Sequence, residues 1–409
     1  MTHRMFGSVH KLAIGLAAAA LTSVAWADRP APAPGAWTQI DNLAPVRGMD
    51  GKMHEATCSG FPGTDPRFSF WSRKGKSKDL VIYFEGGGAC WDGMSCSFPI
   101  AGLPPQVPQL FVPQVPPGSD PSTYDGIFRA GDAGNPVQEW DMVYIPYCTG
   151  DIHSGSATKT YTSVGNAALG IAPGTPITIQ HRGFDNFMVV MDWVRKNFKD
   201  PKRVLVAGSS AGGYGASINF PWVARAYPRS HLYVLADASQ GVTTPAWDAN
   251  EPGRGSWNMQ LAPWVFGNDA ASVASGDLLR RGAKAHPHAK VSQFTTQADG
   301  VQVAFYGLMK QFYGPGGSCA TPAVDWNQQM LDRLQSYATD IGNFRYYLAE
   351  GTYHTNLRSP LFYSESSTGT AYSDWVSAML SNRGGTHGHG GGAWQDQACP
   401  GCLTPLPCP

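Results

Sequence analysis

The sequence has little charge and no excess of either sign. Lys and Arg together number 30, Asp and Glu number 30, and charged residues make up 15% of the 409 residues, against a usual share of about 25%. This balance gives no electrostatic attraction toward nucleic acid or an anionic membrane. Beyond residue 27 there is no apolar run long enough to span a bilayer, so no membrane-spanning segment is expected there.

Motifs for two common kinds of cofactor are also missing. The glycine-rich stretches have neither the G-x-G-x-x-G spacing of dinucleotide-binding proteins nor the spacing of a P-loop. Cys399 and Cys402 have the spacing of half a zinc site, but no second cysteine pair lies at zinc spacing. We therefore expect no cofactor and no metal site.

The eight cysteines need another explanation. In an exported protein such a number indicates disulfides, and eight cysteines allow 105 pairings that the sequence does not distinguish. Cys90 and Cys96 are close enough to close one loop. Cys399, Cys402 and Cys408 are expected to attach the C-terminal tail to the body of the protein.

The N-terminus has the features of an export signal. Basic residues precede a short apolar run, and Ala25-Trp26-Ala27 fits a signal-peptidase cleavage site. We therefore expect a signal peptide over residues 1–27 and a secreted or periplasmic protein. Residues 28–36 are rich in Pro and Ala and are interpreted as a linker.

Residues 37–409 alternate short apolar runs with helical periodicity, which predicts a single α/β domain with a mostly parallel central sheet covered by helices on both faces. Glycine (48) and proline (32) are plentiful, so long loops are expected. Two insertions are predicted, near residues 98–140 and 243–288, and the second is interpreted as a segment that could cap the site. The strands are predicted over residues 80–84, 142–146, 204–207, 232–236, 291–296 and 344–349.

The sequence VLVAGSSAGG over residues 204–213 is the strongest indication of function. An apolar run ends at a G-x-S-x-G motif and a stretch compatible with a helix follows, which is the strand–turn–helix arrangement of a nucleophile elbow. Small residues allow the tight turn, and the turn lifts the Ser210 hydroxyl clear of the sheet. We predict that Ser210 is a nucleophile; the alternative is a solvated serine in a glycine-rich turn.

A serine nucleophile needs a base, and the base needs an acid that orients it. In the hydrolase order the acid and then the histidine follow the serine. Asp299 and His354 each come a few residues after a predicted strand, and ligands bind at the carboxyl ends of such strands. We predict a triad of Ser210, Asp299 and His354, with Asp237, which follows another strand, as the alternative acid.

Backbone N–H groups are predicted to stabilise the developing oxyanion. Gly87 and Gly88 follow the strand over residues 80–84, where a side chain would block the approach of a substrate carbonyl, and Ala211 directly follows the nucleophile. Asp151 lies in a polar cluster after the strand over residues 142–146. It is expected to border the pocket and to hydrogen-bond backbone N–H groups around the elbow, as a supporting residue rather than a catalytic one.

Five segments together resemble the pectin acetylesterase family, which includes the Notum carboxylesterases: GGGACWDGMSC, IPYCTGDIHSG, AGSSAGGYGA, QADGVQ and YHTNL. The resemblance spans roughly residues 84–357. It implies an α/β-hydrolase fold and a secreted serine esterase without metal or cofactor. Gly88 stands where Notum-like members carry an aromatic residue, a difference that bears on the shape of the pocket. The resemblance also implies the roles of individual residues. It makes Ser210 the nucleophile, Asp299 the acid and His354 the base, and the oxyanion donors are Gly87, Gly88 and Ala211.

We therefore expect a serine esterase that hydrolyses carboxylic esters through an acyl-enzyme, with an acetylated polysaccharide such as pectin as substrate. An esterase or depolymerase for hydroxyalkanoate polyester or longer acyl esters is the alternative within this class. A non-catalytic carbohydrate-binding protein on a hydrolase scaffold is the alternative of another class, and a peptidase or amidase with the same triad is a third. The oligomeric state stays open.

Overall fold

The computed structural model describes residues 35–97, 110–249, 254–381 and 394–408. The predicted signal peptide and residues 28–34 of the predicted linker lie outside the described residues. So do residues 98–109 and 250–253, which belong to the two predicted insertions. The described residues fall within one compact unit.

The central sheet has nine strands, which are numbered here in chain order. In spatial order the strands are β1 (Trp37–Ile40), β4 (Phe70–Arg73), β6 (Asp141–Ile145), β5 (Leu80–Phe84), β9 (Arg203–Ser209), β10 (His231–Asp237), β11 (Lys290–Thr296), β12 (Phe344–Ala349) and β15 (Gln397–Ala398). In this order, every pair of neighbours from β6 to β15 is parallel, whereas β4 is antiparallel to both of its neighbours. The predicted mostly parallel sheet is confirmed.

Three antiparallel hairpins and ten α-helices accompany the sheet within the described ranges, besides short 3₁₀ turns. The hairpins are β2 (Val46–Arg47) with β3 (Met53–His54), β7 (Ala157–Thr162) with β8 (Pro176–His181), and β13 (Ser366–Ser367) with β14 (Thr370–Ala371). The helices are α1 (Gly93–Ser97), α2 (Gly183–Asn197), α3 (Ala211–Ala226), α4 (Pro245–Ala249), α5 (Pro263–Phe266), α6 (Asp277–Ala285), α7 (Gly300–Tyr313), α8 (Pro322–Asp340), α9 (Leu361–Ser364) and α10 (Tyr372–Leu380). No helix in these ranges is both long and apolar enough to cross a membrane.

Both faces of the sheet are covered. In β5, Leu80, Ile82 and Phe84 belong to the hydrophobic core that contains residues of α2, α3 and α8. The alternating residues Val81 and Tyr83 belong to a second core that contains residues of α10. Successive side chains of a strand point to opposite faces, which explains why β5 reads LVIYF without a polar residue: each face must be apolar.

The structure also has elements that the sequence interpretation missed. Only one face of the β7–β8 hairpin is buried, through residues such as Ile177 and Ile179, so the hairpin has no continuous apolar run. The predicted insertion over residues 243–288 contains α4, α5 and α6, and α6 packs against α3. Helix α7 was also not predicted, although it carries part of the candidate site described below.

Four disulfides link the eight cysteines. The predicted Cys90–Cys96 bridge is present. The tail is attached through a single bridge, Cys408 to Cys319, because Cys399 and Cys402 pair with each other and close a local loop. The expectation that all three C-terminal cysteines attach the tail was therefore wrong for two of them. The fourth bridge joins Cys58 to Cys148, directly after β6.

Candidate active site

Ser210 lies in a sharp turn between β9 and α3. Its backbone has φ 58° and ψ −126°, a positive-φ conformation that is costly for a residue with a Cβ. The turn is crowded, because a Cβ on Gly208 would lie 2.1 Å from the carbonyl oxygen of Gly212. The Ser210 N–H donates to the main-chain oxygen of Asp237 at 2.7 Å. This geometry is that of a nucleophile elbow.

Asp299 and His354, although 55 residues apart, form a hydrogen-bonded pair. The Nδ1 atom of His354 lies 2.8 Å from both carboxylate oxygens of Asp299. The Nε2 atom on the other side of the ring is buried and has no hydrogen-bond partner among the described residues. Since the carboxylate accepts from Nδ1–H, the ring is held in the tautomer that leaves Nε2 free to accept a proton.

The Asp299 carboxylate is fully buried and is held by residues at the start of α7. It accepts the N–H groups of Val301 and Gln302 at 3.1 Å each, as the N-cap of that helix, and the Gln302 side-chain amide at 2.9 Å. The sequence interpretation missed Gln302. The signal was available, because an Asp followed three residues later by Gln matches the pattern of a capping box.

Asp237, the alternative acid, lies at the end of β10 and makes no hydrogen bond to His354. One of its carboxylate oxygens accepts the Ser209 hydroxyl at 2.6 Å and the N–H groups of Asn356 and Leu357 at 2.9 Å each. Burial raises the pKa of Asp237. This carboxylate therefore joins the elbow to the loop that follows His354.

The Ser209 hydroxyl extends this connection. It accepts a hydrogen bond from the Tyr83 hydroxyl at 2.8 Å while it donates to Asp237. A second link joins the loop after β5 to the loop after His354, because the Glu85 carboxylate pairs with the Arg358 guanidinium. Sequence reasoning assigned no role to Ser209, Glu85 or Arg358, because their partners lie on distant segments.

Asp151 was expected to contact N–H groups around the elbow, and the structure places its partners elsewhere. The fully buried carboxylate accepts the N–H groups of His153 and Gly155 in its own loop at 3.2 Å each, and that of Gly183 at the start of α2 at 2.7 Å. Burial raises the pKa of Asp151 to about 6. The side chain fixes the loop after β6, and it is the adjacent Ile152 that borders the cavity with Ser210.

The glycines after β5 approach the elbow closely. A Cβ on Gly86 would lie 2.8 Å from the Ser210 Cβ, and a Cβ on Gly88, which has φ 76°, would lie 1.9 Å from the Leu110 carbonyl oxygen. Within the described ranges the N–H groups of Gly87, Gly88 and Ala211 donate to no protein acceptor. They are therefore available to an oxyanion. Gly88 and Ala211 border the same cavity as Ser210, whereas Gly87 does not.

A cavity of about 70 Å³ brings Ser210 and His354 together. Its other walls come from the loop after β5, from the predicted insertion over residues 243–288 and from α7. Its large apolar side chains include Trp91, Trp247, Trp257, Val301, Phe305 and Met309. Two of the tryptophans are fixed by hydrogen bonds of their indole N–H groups, from Trp91 to the Tyr313 hydroxyl and from Trp257 to the Cys90 carbonyl, both at 2.7 Å.

One cluster has the spacing of metal ligands. Cys90, Cys96 and His181 lie close enough to share an ion. However, the two sulfurs are joined in a disulfide, and a thiolate rather than a disulfide sulfur is the usual ligand. Burial lowers the pKa of His181 to about 4, and its ring nitrogens contact the Thr149 carbonyl and the Tyr161 hydroxyl. The donor set does not fit a metal.

Comparison with known proteins gives matches that lie mainly in the first half of the domain. The family model for Pectinacetylesterase matches residues 49–244. A palmitoleoyl-protein carboxylesterase notum2 of Xenopus laevis is 32% identical over 170 residues, which are 41% of this chain and 30% of that protein. The notum1a protein of Danio rerio is 29% identical over 202 residues, which are 44% of this chain and 35% of that protein.

The human palmitoleoyl-protein carboxylesterase NOTUM is 28% identical over 169 residues, or 40% of this chain and 30% of that protein. The chain thus spans about a third of the length of these curated relatives. The region matched by the family model contains Ser210 but not Asp299 or His354. Over residues 49–244 the chain is therefore similar to the pectinacetylesterase family, and over much the same share of its length to the Notum carboxylesterases.

Proposed function

We propose that this protein is a serine hydrolase of carboxylic esters, with Ser210 as nucleophile, His354 as base and Asp299 as the acid that orients it. The observation that carries the proposal is the arrangement of His354, which borders the same cavity as Ser210, has Nδ1 held by Asp299 at 2.8 Å and has no hydrogen-bond partner on Nε2 among the described residues. A base fixed on one side and free on the other, next to a strained serine, is the arrangement that acyl transfer requires.

The reaction would proceed through an acyl-enzyme. The Ser210 hydroxyl attacks the ester carbonyl carbon while His354 Nε2 takes its proton, and the resulting imidazolium is stabilised by Asp299. The same proton then passes to the leaving alcohol oxygen. Water attacks the acyl-enzyme with His354 again as base, and the carboxylic acid leaves. The N–H groups of Gly87, Gly88 and Ala211 are the proposed donors to the oxyanion in both steps.

The size of the cavity favours a short acyl group. A cavity of about 150 Å³ is large enough for a benzene ring, so about 70 Å³ favours an acetyl group over longer chains. An octanoyl chain would need the walls to move. We therefore propose an acetyl ester, carried by a polysaccharide such as pectin, as the leading substrate.

The first experiment measures hydrolysis of p-nitrophenyl acetate, butyrate and octanoate by the wild type and by Ser210→Ala. We expect turnover of the two shorter esters, and a loss of at least about a thousandfold in kcat in the variant. The variant should retain its thermal midpoint, since the Ser210 hydroxyl has no protein partner within the described ranges. Turnover that persists in Ser210→Ala, or a matched amide cleaved faster than the ester, would contradict the proposal.

The apolar lining favours a second candidate substrate. An acetyl group would leave part of the wall formed by Trp91, Phe305 and Met309 uncovered, whereas a hydroxybutyrate unit would cover more of it. We therefore keep a hydroxyalkanoate polyester as the alternative. Acetate release from acetylated pectin, compared with release of soluble acid from a polyester suspension, distinguishes the two substrates.

We also infer that the protein works in an oxidising compartment, outside the cytoplasm. The four disulfides support this inference, because such bonds form and persist in secreted and periplasmic proteins. Fractionation of a cell that expresses the full chain, followed by detection in the medium and the periplasm, tests it. Recovery of the protein only from the cytoplasm with reduced cysteines would contradict it.

A further inference from the structure

The catalytic cavity has a polar wall that the proposed triad does not use. Besides the nucleophile and the base, the lining residues with a hydroxyl or amide side chain are Tyr214, Thr243, Ser275 and Gln302. The Gln302 amide donates to the side chains of Gln240 and Asp299 at 2.8 and 2.9 Å, and its oxygen accepts the Gln240 N–H. Gln302 is therefore engaged within the protein, and the three hydroxyls are left for a substrate.

The Tyr214 hydroxyl has a proton without an acceptor. The residue lies one turn along α3 from the nucleophile, since its N–H donates to the Ser210 carbonyl oxygen at 3.4 Å. Its hydroxyl oxygen accepts the Gly241 N–H at 3.0 Å, but the O–H donates to no acceptor among the described residues. Burial raises the pKa of Tyr214 to about 12, so the hydroxyl keeps its proton at neutral pH. A donor that is removed from water without gaining an acceptor is costly, and a ligand atom that accepts from it is favoured.

The other two hydroxyls of this wall offer only lone pairs. Thr243 and Ser275 each donate a hydroxyl proton to the Asp248 carboxylate at 2.8 Å, so what remains on each oxygen is its capacity to accept. The wall thus combines one free donor with two acceptors. A ligand hydroxyl, which accepts one hydrogen bond and donates another, matches this combination.

The charges near Tyr214 give no preference for a charged ligand group. Besides the effect of burial, Arg333 lowers the pKa of Tyr214, whereas Asp248 and Asp299 raise it. These charges of opposite sign offset one another at the hydroxyl. A neutral polar group therefore suits the wall better than a carboxylate or an ammonium group.

The size of the cavity decides which half of an ester reaches this wall. A cavity of about 150 Å³ holds a benzene ring, whereas this cavity has about 70 Å³. A sugar ring with its hydroxyl groups is larger than benzene, so a glycan that carries the ester stays at the mouth. The acyl group is small enough to enter, with its apolar part against side chains such as Trp91 and Phe305.

We propose that Tyr214 is a specificity-determining residue that recognises a hydroxyl group on the acyl chain, so that the cavity takes esters of short hydroxy acids. The inference rests on the ester hydrolysis proposed above and favours its alternative substrate, because an acetyl group offers Tyr214 no acceptor. The Tyr214 O–H would donate to the substrate hydroxyl, whose own proton would be donated to the oxygen of Thr243 or Ser275. Tyr214 takes no part in proton transfer, which is assigned to His354.

Ethyl 3-hydroxybutyrate and ethyl 3-methylbutyrate test the proposal, because they differ only by a hydroxyl in place of a methyl group. Acid release by the full chain is followed in a pH-stat for each enantiomer of the hydroxy ester, and rates are divided by those of alkaline hydrolysis. We expect the wild type to prefer one enantiomer over the methyl ester by at least about tenfold in kcat/KM, since a site that pairs with a hydroxyl rejects the analogue without it. Tyr214→Phe should reduce this preference by about tenfold.

Tyr313→Phe is the matched control. It removes a hydroxyl that accepts from the indole N–H of Trp91, another lining residue of the cavity, so any effect should fall equally on both esters. A second control moves the same exchange to the alcohol half of the ester. We expect no preference between 2-hydroxyethyl acetate and propyl acetate, because the alcohol half stays outside the polar wall.

The wild-type comparison needs no variant, so the test holds even if Tyr214→Phe fails to fold. No preference for the hydroxy ester, a preference that a folded Tyr214→Phe retains, or a preference on the alcohol half that Tyr214→Phe abolishes would overturn the proposal. Turnover of p-nitrophenyl acetate without any such preference would overturn this inference and leave the esterase. No turnover of any ester would refute both.

Discussion

Two buried aspartates at the carboxyl ends of neighbouring strands have different partners. Asp237 ends β10 and Asp299 follows β11, and both side chains are fully inaccessible to solvent. Asp299 contacts the imidazole of His354 at 2.8 Å, whereas Asp237 contacts one hydroxyl and two backbone N–H groups. Similar positions and equal burial therefore do not give the two carboxylates the same chemistry.

The two carboxylates differ in function because the groups that hydrogen-bond to them differ. A carboxylate that faces an ionisable ring can stabilise the charge that develops on that ring during a reaction. A carboxylate that accepts from a hydroxyl and backbone N–H groups acts mainly as a cross-link, and Asp237 reaches His354 only through a longer-range electrostatic interaction. We infer that Asp299 orients the base, whereas Asp237 positions the elbow and the histidine loop relative to each other.

Asp299→Asn should have the largest effect on catalysis and should distinguish the two aspartates most clearly. An amide keeps the shape of the side chain but does not stabilise the charged imidazole and can favour the wrong tautomer, so we expect kcat to fall by about 10⁴. Stability should change little, because Asn caps a helix about as well as Asp. Steady-state kinetics and thermal unfolding measure the two effects. An activity within tenfold of the wild type would show that Asp299 does not orient the base.

Asp237→Asn should show the opposite balance between activity and stability. The amide oxygen can still accept from Ser209, Asn356 and Leu357. Its NH₂ group would occupy the position of the second carboxylate oxygen, which has no hydrogen-bond partner among the described residues, and a buried donor left unpaired costs about 1–3 kcal/mol. We expect this loss in the free energy of unfolding, with kcat reduced by no more than about tenfold.

Ser209→Ala is the matched control for the cross-link. It removes the hydroxyl that joins Tyr83 to Asp237 and leaves both carboxylates in place, so it should lower stability and spare kcat in the same way. A well-folded Asp237→Asn that loses as much kcat as Asp299→Asn would identify Asp237 as the acid and reverse the comparison.

Local patterns made much of the fold predictable. The predicted strand over residues 80–84 coincides with β5, and the other predicted strands of the parallel sheet agree with the structure to within a few residues. β5 and the centres of β6, β9 and β10 are buried on both faces and appear as apolar runs. β11 is an exception, because it reads KVSQFTT and buries polar side chains. The elbow at Ser210 could be located for a related reason, because strand, turn and helix are all encoded within ten consecutive residues.

The remainder depends on contacts between distant segments. The pairing of Asp299 with His354 could be anticipated from their order along the chain, and the contact of Gln302 from the capping-box spacing that marks the start of α7. The partners of Asp151 depend on where α2 begins, and the pairing of Cys58 with Cys148 spans 90 residues. Trp264 is exposed, whereas Trp247 and Trp257 of the same predicted insertion are buried. This difference follows from packing that the sequence pattern does not encode.

The comparison extends to a second histidine, His54, which differs from His354 because both of its ring nitrogens are engaged. They lie 2.7 Å from Asp185 and 2.8 Å from Asp50, and Arg182 pairs with Asp185 from the other side at 3.4 Å. Burial alone would lower the pKa of His54, but the hydrogen bonds to Asp185 and Asp50 outweigh burial and raise the pKa above 6.5. His54 is therefore suited to hold a proton, whereas His354 has a free nitrogen to accept one.

The smallest expected effect follows from this difference and concerns the pH dependence of stability. A histidine whose pKa is raised on folding stabilises the protein fully below its unfolded pKa and loses that contribution as the pH rises through the folded pKa. The free energy of unfolding of the wild type should therefore exceed that of His54→Gln by about 1 kcal/mol near pH 6 and by less near pH 9. Denaturant unfolding at the two pH values measures this. A difference that grows with pH would mean that His54 is neutral in the folded protein and that its two carboxylates do not retain a proton on it.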